Sequence, residues 1–310
     1  MDFSEINIPI LIASLIVTAT PLILAALGEL IAEKSGVLNL GVEGMMIIGA
    51  VSGFIIGVET GSALLGIIGS AVGGALLSFL FAFIVLVMKA NQVASGLALT
   101  IFGLGIAALL GHPYTGIAPP QFQSFSLPLL EDIPIIGVMF FQHDFVVYFS
   151  ILASIATWYF LKYSRRGLVL RSIGENHDVA HSLGYKVIAT RFGSILFGGA
   201  LAGLGGGYLS LVRVPQWTEG MTAGAGWIAL ALVVFSGWHP FRLILGAYIF
   251  GGITILQLNL QAIGVNINIA ILSMAPYLAT IIALVIISVS RIQGNKGAPG
   301  SLGVSFVKVT

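Results

Sequence analysis

Nine stretches of this chain are long and apolar enough to be read as membrane crossings, and they leave room for few other folds. A span takes about 20 mostly apolar residues, and the candidates lie at about 8–31, 37–58, 61–88, 91–111, 144–162, 191–212, 224–238, 241–260 and 269–290. The seventh is short, so the expected count is nine, with eight to ten allowed. Charge is correspondingly scarce, at 8% of 310 residues with 57% hydrophobic, against roughly 25% charged in soluble domains. In lipid the backbone must satisfy itself, which favours helices for runs of this length. The expected fold is therefore all-α, a polytopic integral membrane protein with residues 1–310 as one transmembrane domain. Asp2 and Glu5 stand where a cleavable signal peptide would be positive, so the first run is read as a retained span.

The longest connection that cannot lie in lipid runs from Tyr163 to Arg191. Lys162, Arg165, Arg166, Arg171, Lys186 and Arg191 lie in or beside it, six of the chain's 13 Lys and Arg. Such residues mark the cytoplasmic side. Alternating spans from there also places Lys34, Lys89, Arg242 and the tail residues Arg291, Lys296 and Lys308 inside, and Arg213 outside. Glu59, Glu131, Asp132, Asp144 and Glu219 fall outside as well. Within 163–191, Val169, Ile173, Val179, Ala180 and Leu183 fall roughly on one helical face, which suits a docking surface at the membrane edge. The tail, 291–310, is expected in the cytoplasm.

The second long connection, 112–143, carries Pro113, Pro119, Pro120, Pro128 and Pro134, which stop regular helix. Its apolar piece Ile133 to Phe141 is too short to span, and the loop is read as a lid or a docking surface for an external partner.

Polar residues inside spans carry the functional information. Glu43 lies about 10 Å into the second span if the helix is regular from Gly36, and Asn39, four residues earlier, would share its face. Together they form either a polar stripe on a substrate route or a hydrogen-bonded pair holding neighbouring helices, and the second is preferred. Glu29 and Glu33 are read as a solvated helix end. Asn91, Gln92, Ser95 and Thr100 open the fourth span and suit either a neutral polar ligand such as a nucleoside or sugar, or a helix cap. Glycines such as Gly73, Gly74, Gly198, Gly199 and Gly203 are read as close-packing sites rather than helix breaks. Trp217, Trp227, Trp238, Tyr208 and Tyr248 are read as interfacial aromatics. Asn259, Gln261, Asn266 and Asn268 suggest a hydrated turn.

Several chemistries are excluded or disfavoured. There is no cysteine and the net charge is +1, so disulfides and thiolate metal sites are ruled out and nothing marks a nucleic-acid surface. A Walker-type sequence is absent. His177 and His181 are four apart, but no third ligand has matching spacing, so no metal is expected and a solvated helix face is preferred.

Three stretches resemble a known family. Ser35-Gly-Val-Leu-Asn39-Leu-Gly-Val-Glu43-Gly-Met-Met46 is similar to the early signature of permeases in nucleoside and simple-sugar ABC importers, within the branched-chain amino acid/ribose permease superfamily. Asn91-Gln-Val-Ala-Ser95-Gly-Leu-Ala-Leu-Thr100 resembles their second signature. Arg171-Ser-Ile-Gly174-Glu175-Asn176, then Ala180 and Gly184, resembles the inner loop that contacts the ATPase, and Gly198-Gly-Ala-Leu-Ala-Gly203 the span after it. His177 stands where that family commonly has proline.

The resemblance implies a transport subunit, not an enzyme. It would pair with a second homologous permease as a heterodimer, a cytoplasmic ATPase that binds ATP and magnesium, and an extracellular or periplasmic substrate-binding protein or lipoprotein. It implies a bacterial cytoplasmic membrane, with Arg171, Gly174, Glu175, Asn176, Ala180 and Gly184 forming a cytoplasmic coupling helix. Asn39, Glu43, Asn91, Gln92 and Ser95 are the candidate substrate-pathway residues. The competing reading is a proton-coupled secondary transporter with Glu43 as proton carrier.

Overall fold

A computed structural model describes residues 8–122, 124–126, 133, 136–262, 274–279, 281–282, 285 and 297–307. Ten α-helices are described: α1 Ile8–Lys34, α2 Val42–Thr60, α3 Ala63–Ala82, α4 Gln92–Gly111, α5 Phe145–Tyr163, α6 Arg165–Glu175, α7 His177–Ser182, α8 Val187–Tyr208, α9 Ala225–Ser236 and α10 Pro240–Ala262. Seven, α1 to α5 with α8 and α10, are long and apolar enough to cross a membrane. Turns of π-helix extend α3 to Val87 and α8 to Arg213.

The expected seventh span is α9, which at 12 residues reaches about 18 Å, too short for a hydrocarbon core of about 30 Å. Of the expected ninth, 269–290, residues 274–279, 281–282 and 285 are described and are helical, and the rest lies outside the described residues, as do Asp2, Glu5, Glu131, Asp132, Asn266, Asn268, Arg291, Lys296 and Lys308. A further correction concerns the second span. It was expected from 37, but the chain is non-helical until Val42, so Asn39 and Glu43 do not share a helix face.

Helix α8 is the central element and packs on α1, α2 and α3. Its small residues make this possible: a Cβ on Gly28 of α1 would stand 2.5 Å from the Gly198 carbonyl oxygen, and one on Gly203 would collide with Ser70 and Gly74 of α3. Close packing is thus the role of these glycines, as expected. Across the 112–143 connection, β1 Ser124–Ser126 pairs antiparallel with β2 Gln142–Asp144. Asp144 then caps α5, its Oδ1 accepting from Val146 N at 2.9 Å and Val147 N at 3.1 Å. The Tyr208 hydroxyl donates to its Oδ2 at 2.6 Å. Tyr208 is therefore a core residue, not an interfacial one. Trp217 and Trp238 are likewise buried, whereas Trp227 is exposed.

Candidate functional site

Two interruptions of helical structure meet inside the bundle. The first is the stretch between α1 and α2. Gly36 adopts φ +89°, and a Cβ there would lie 2.6 Å from the Arg191 guanidinium, so both conformation and space demand glycine. Non-helical backbone at membrane depth must find partners in protein, and here it does. Leu38 N donates to Gln92 Oε1 at 2.9 Å, Asn39 N to Glu29 Oε1 at 3.1 Å and Gly41 N to Asn39 Oδ1 at 3.0 Å, while the Thr100 hydroxyl donates to Leu40 O at 3.1 Å.

These bonds correct the expectation for Glu29 and Glu33. Both are fully buried. Glu29 supports the unwound strand, and Glu33 accepts from the Trp238 indole of the α9–α10 turn. Among the described residues, one carboxylate oxygen on each, Glu29 Oε2 and Glu33 Oε1, has no partner, and neither has Gln92 Nε2.

The second interruption is residues 214–224, which lead from α8 into α9. Left-handed Gly220, Ala223 and Gly224 turn the chain, and α9 starts against Glu43. One Glu43 oxygen accepts from the Thr222 hydroxyl at 2.6 Å and Gly224 N at 2.9 Å, the other from Gly226 N at 2.6 Å. A carboxylate on exposed helix-start amides is favourable. Glu43 thus pins the short helix to the first turn of α2. Of the two readings of Glu43 the interhelical one holds, but its partners lie some 180 residues away in sequence rather than at Asn39.

Beside this junction is a cavity of about 310 Å³, within the roughly 300–1,000 Å³ range of small-molecule sites. Pro21, Leu22, Leu209, Ile228 and Phe250 give it apolar walls, and Thr18, Arg213, Thr222, Thr254, Gln257 and Tyr277 give it polar groups. Arg213 makes no hydrogen bond or ion pair with the described residues. Sequence reading placed Arg213 merely outside. Its isolation from other basic residues was the one available signal.

The remaining pathway candidates lie elsewhere. Asn91 is exposed and caps α4, accepting from Ala94 N at 3.0 Å. Ser95 sits a turn further on, half-buried. Asn39, Gln92 and Thr100 gather around the unwound strand and Glu43 around α9, while Asn91 and Ser95 flank that framework.

In the 163–191 connection, Asn176 separates α6 from α7 and caps the latter, accepting from Asp178 N at 3.1 Å and Val179 N at 3.0 Å. The five apolar residues expected on one face divide. Ile173 and Ala180 are buried with Val187 and Phe306, and Val169 packs on them, whereas Val179 and Leu183 are exposed at 56% and 71%. Gly184 is left-handed at φ +87°, closing the short helix, and faces open space.

Arg191 fastens this region. It is 0% exposed, and its guanidinium donates to Ser35 O at 3.0 Å and Val304 O at 3.0 Å and meets His177 Nδ1 at 3.2 Å. His177 is accordingly buried rather than solvated, and its backbone N donates to Ser301 Oγ at 3.3 Å, a bond proline could not make. Because arginine only donates, Nδ1 must accept. Burial first, then the Arg191 charge, hold the imidazole below its usual 6.5. His181 packs edge-on against Phe306.

Comparison with known proteins agrees with this architecture. The family described as branched-chain amino acid transport system / permease component matches residues 11–290. The chain is 38% identical over 288 residues to the putative glucose ABC transporter permease protein TsgC13 of Haloferax volcanii, covering 86% of this chain and 88% of that one. It is 34% identical over 324 residues to the guanosine ABC transporter permease protein NupQ of Bacillus subtilis, covering 99% of each. Against the nucleoside ABC transporter permease protein NupC of Lactococcus lactis the identity is 33% over 315 residues, covering 97% and 98%. No solved structure matches the chain.

Proposed function

The chain belongs to the permease-component family of branched-chain amino acid transport systems, and from that premise we propose that it carries a nucleoside, or a related simple sugar, inward across the cytoplasmic membrane. It is a transport subunit of an ABC importer rather than an enzyme, so its family implies a separate ATPase and a substrate-binding protein. ATP and magnesium belong to that ATPase. The second permease in the assembly is a homologous, non-identical chain, a reading supported by the existence of paired relatives, NupQ and NupP, in Bacillus subtilis.

The observation that carries the substrate reading is the cavity beside Glu43. A nucleoside has a flat apolar base face with polar edges and a hydroxylated ribose, matching apolar walls interrupted by a few donors and acceptors. Solute reaches this cavity from outside and leaves when the short helix α9 shifts against α2. Asn39, Glu43 and Gln92 shape the route by holding the unwound strand and α9, and Asn91 and Ser95 flank that framework at the inner end of α4. Helices α6 and α7, with Arg171, Gly174, Glu175, Asn176, Ala180 and Gly184, form the element that the ATPase grips, exposed Val179 and Leu183 making the contact. The tail lies on the same cytoplasmic side.

A proton-driven transporter fits less well. All three Glu43 contacts are donors of a fixed cap, which leaves the carboxylate little freedom to exchange a proton with solvent. Reconstitution decides between the two. Uptake of labelled guanosine by the assembled complex is expected to require ATP and the binding protein and to survive collapse of the proton gradient. Uptake by this chain alone, lost with the gradient, would contradict the proposal.

A further inference from the structure

At the inner edge of the bundle, where α1 and α5 end and the α9–α10 turn returns beside α6, there is a cleft of about 240 Å³. Lys34, Lys162, Arg171 and His239 line it together with Trp158 and Trp238, and no acidic residue is among its lining groups. Glu33 and Glu175 are near enough to act on the Lys34 charge but do not line the cleft. Glu33 accepts from the Trp238 indole, and Glu175 Oε2 accepts from Gly300 N at 3.4 Å.

The cations have donors to spare. Lys34 Nζ uses one on Gly297 O at 3.3 Å, Lys162 Nζ lies 5.1 Å from the centre of the Trp158 ring, and Arg171 Nε is buried without a partner. The His239 imidazole is held below its usual 6.5 by burial and then by the positive charges of Arg242, Lys162 and Lys34. Gathering three positive groups, Lys34, Lys162 and Arg171, around one half-enclosed space is costly unless an anion joins them. A phosphate, with several strong acceptor oxygens, matches that set of donors.

We propose that this cleft binds the phosphate of an anionic phospholipid headgroup from the inner leaflet. The surroundings favour a lipid over a free phosphate ion. Tyr159, Tyr163 and Phe241 stand 61%, 57% and 43% exposed on the flanking ends of α5 and α10, forming an interfacial aromatic shelf on which acyl chains rest. Basic pockets between helices on the cytoplasmic side are suited to such headgroups. Since Arg171 belongs to α6, a bound headgroup braces the inner loop against the feet of α1 and α5.

To test this, the full-length protein is placed in phosphatidylcholine nanodiscs containing some phosphatidylglycerol and re-extracted, and retained lipid is counted by native mass spectrometry. Phosphatidylglycerol is expected to be retained in preference to phosphatidylcholine and to resist displacement by millimolar inorganic phosphate. Arg171→Gln and Lys162→Gln should each lower its retention about fivefold. Lys162 is exposed, so that variant reads the site even where Arg171→Gln folds poorly. Equal retention of the two lipids, full displacement by inorganic phosphate, or wild-type retention in the Lys162 variant would overturn the proposal.

Discussion

Helix α8 and its extension carry an arginine at each end, and the two live in opposite circumstances. Arg191 is fully buried and gives its donors to Ser35 O, Val304 O and the His177 ring. The Arg213 side chain lines a largely apolar cavity and bonds to none of the described residues. The first resembles a bolt, tying the unwound strand, α7 and the C-terminal stretch to one helix. The second resembles an open hand. The difference is between a buried charge that is well partnered and a half-buried one that bonds to none of the described residues, and under the proposed function the second is the point of contact with solute.

The contrast breaks most readily through Arg191. Replacing it by Met leaves Ser35 O and Val304 O without donors, and charged hydrogen bonds of this kind are each worth about 1.5–3 kcal/mol. Folded yield and the detergent melting temperature should fall sharply, with uptake lost in proportion. A variant as stable as wild type would mean the network is ornamental.

A smaller and more selective effect is expected at the other end. Arg213→Met removes no internal bond, so the melting temperature should stay within about 2 °C of wild type, as for surface changes below roughly 0.5 kcal/mol. Uptake efficiency should nonetheless fall about tenfold, by the 1–3 kcal/mol that good arginine–base contacts contribute. Loss of stability equal to that of Arg191→Met would erase the distinction drawn here.

The smallest expected effect is on pH. The folded-state value of His177 lies below 6.5, so the unfolded chain takes up this proton first as the solution is acidified. The stability contributed by neutral His177 is therefore complete above about pH 6.5 and is lost as pH falls through the window beneath it. Thermal melts at descending pH should show this loss, and His177→Gln should flatten it.

Much of the scaffold was readable because α1, α3, α4, α5, α8 and α10 are uninterrupted apolar runs, which no partner is needed to identify. The motif residues were also conspicuous, yet their roles were not. Glu29 and Glu33 next to Lys34 look the same whether a helix end is solvated or buried, and only Trp238, 205 residues beyond Glu33, settles it. Asn39 and Glu43 have helical spacing, but the chain unwinds before Val42 because Glu29, Gln92 and Thr100 offer its backbone better-placed partners. Similarly, 224–238 has the composition of a span. The helix starts at Ala225 against Glu43, and left-handed Gly237 ends it after Ser236 and leaves it short.

The most direct test of the solute route uses the absence of cysteine from the chain. Thr254→Cys, placed in the cavity and carried in the assembled transporter, is exposed to a membrane-impermeant thiol reagent with and without guanosine. Labelling of this chain from the outer side, slowed by whichever nucleoside the wild-type complex transports, is the predicted result. Labelling at an unchanged rate in the presence of a solute that the complex demonstrably imports would contradict a route through this cavity.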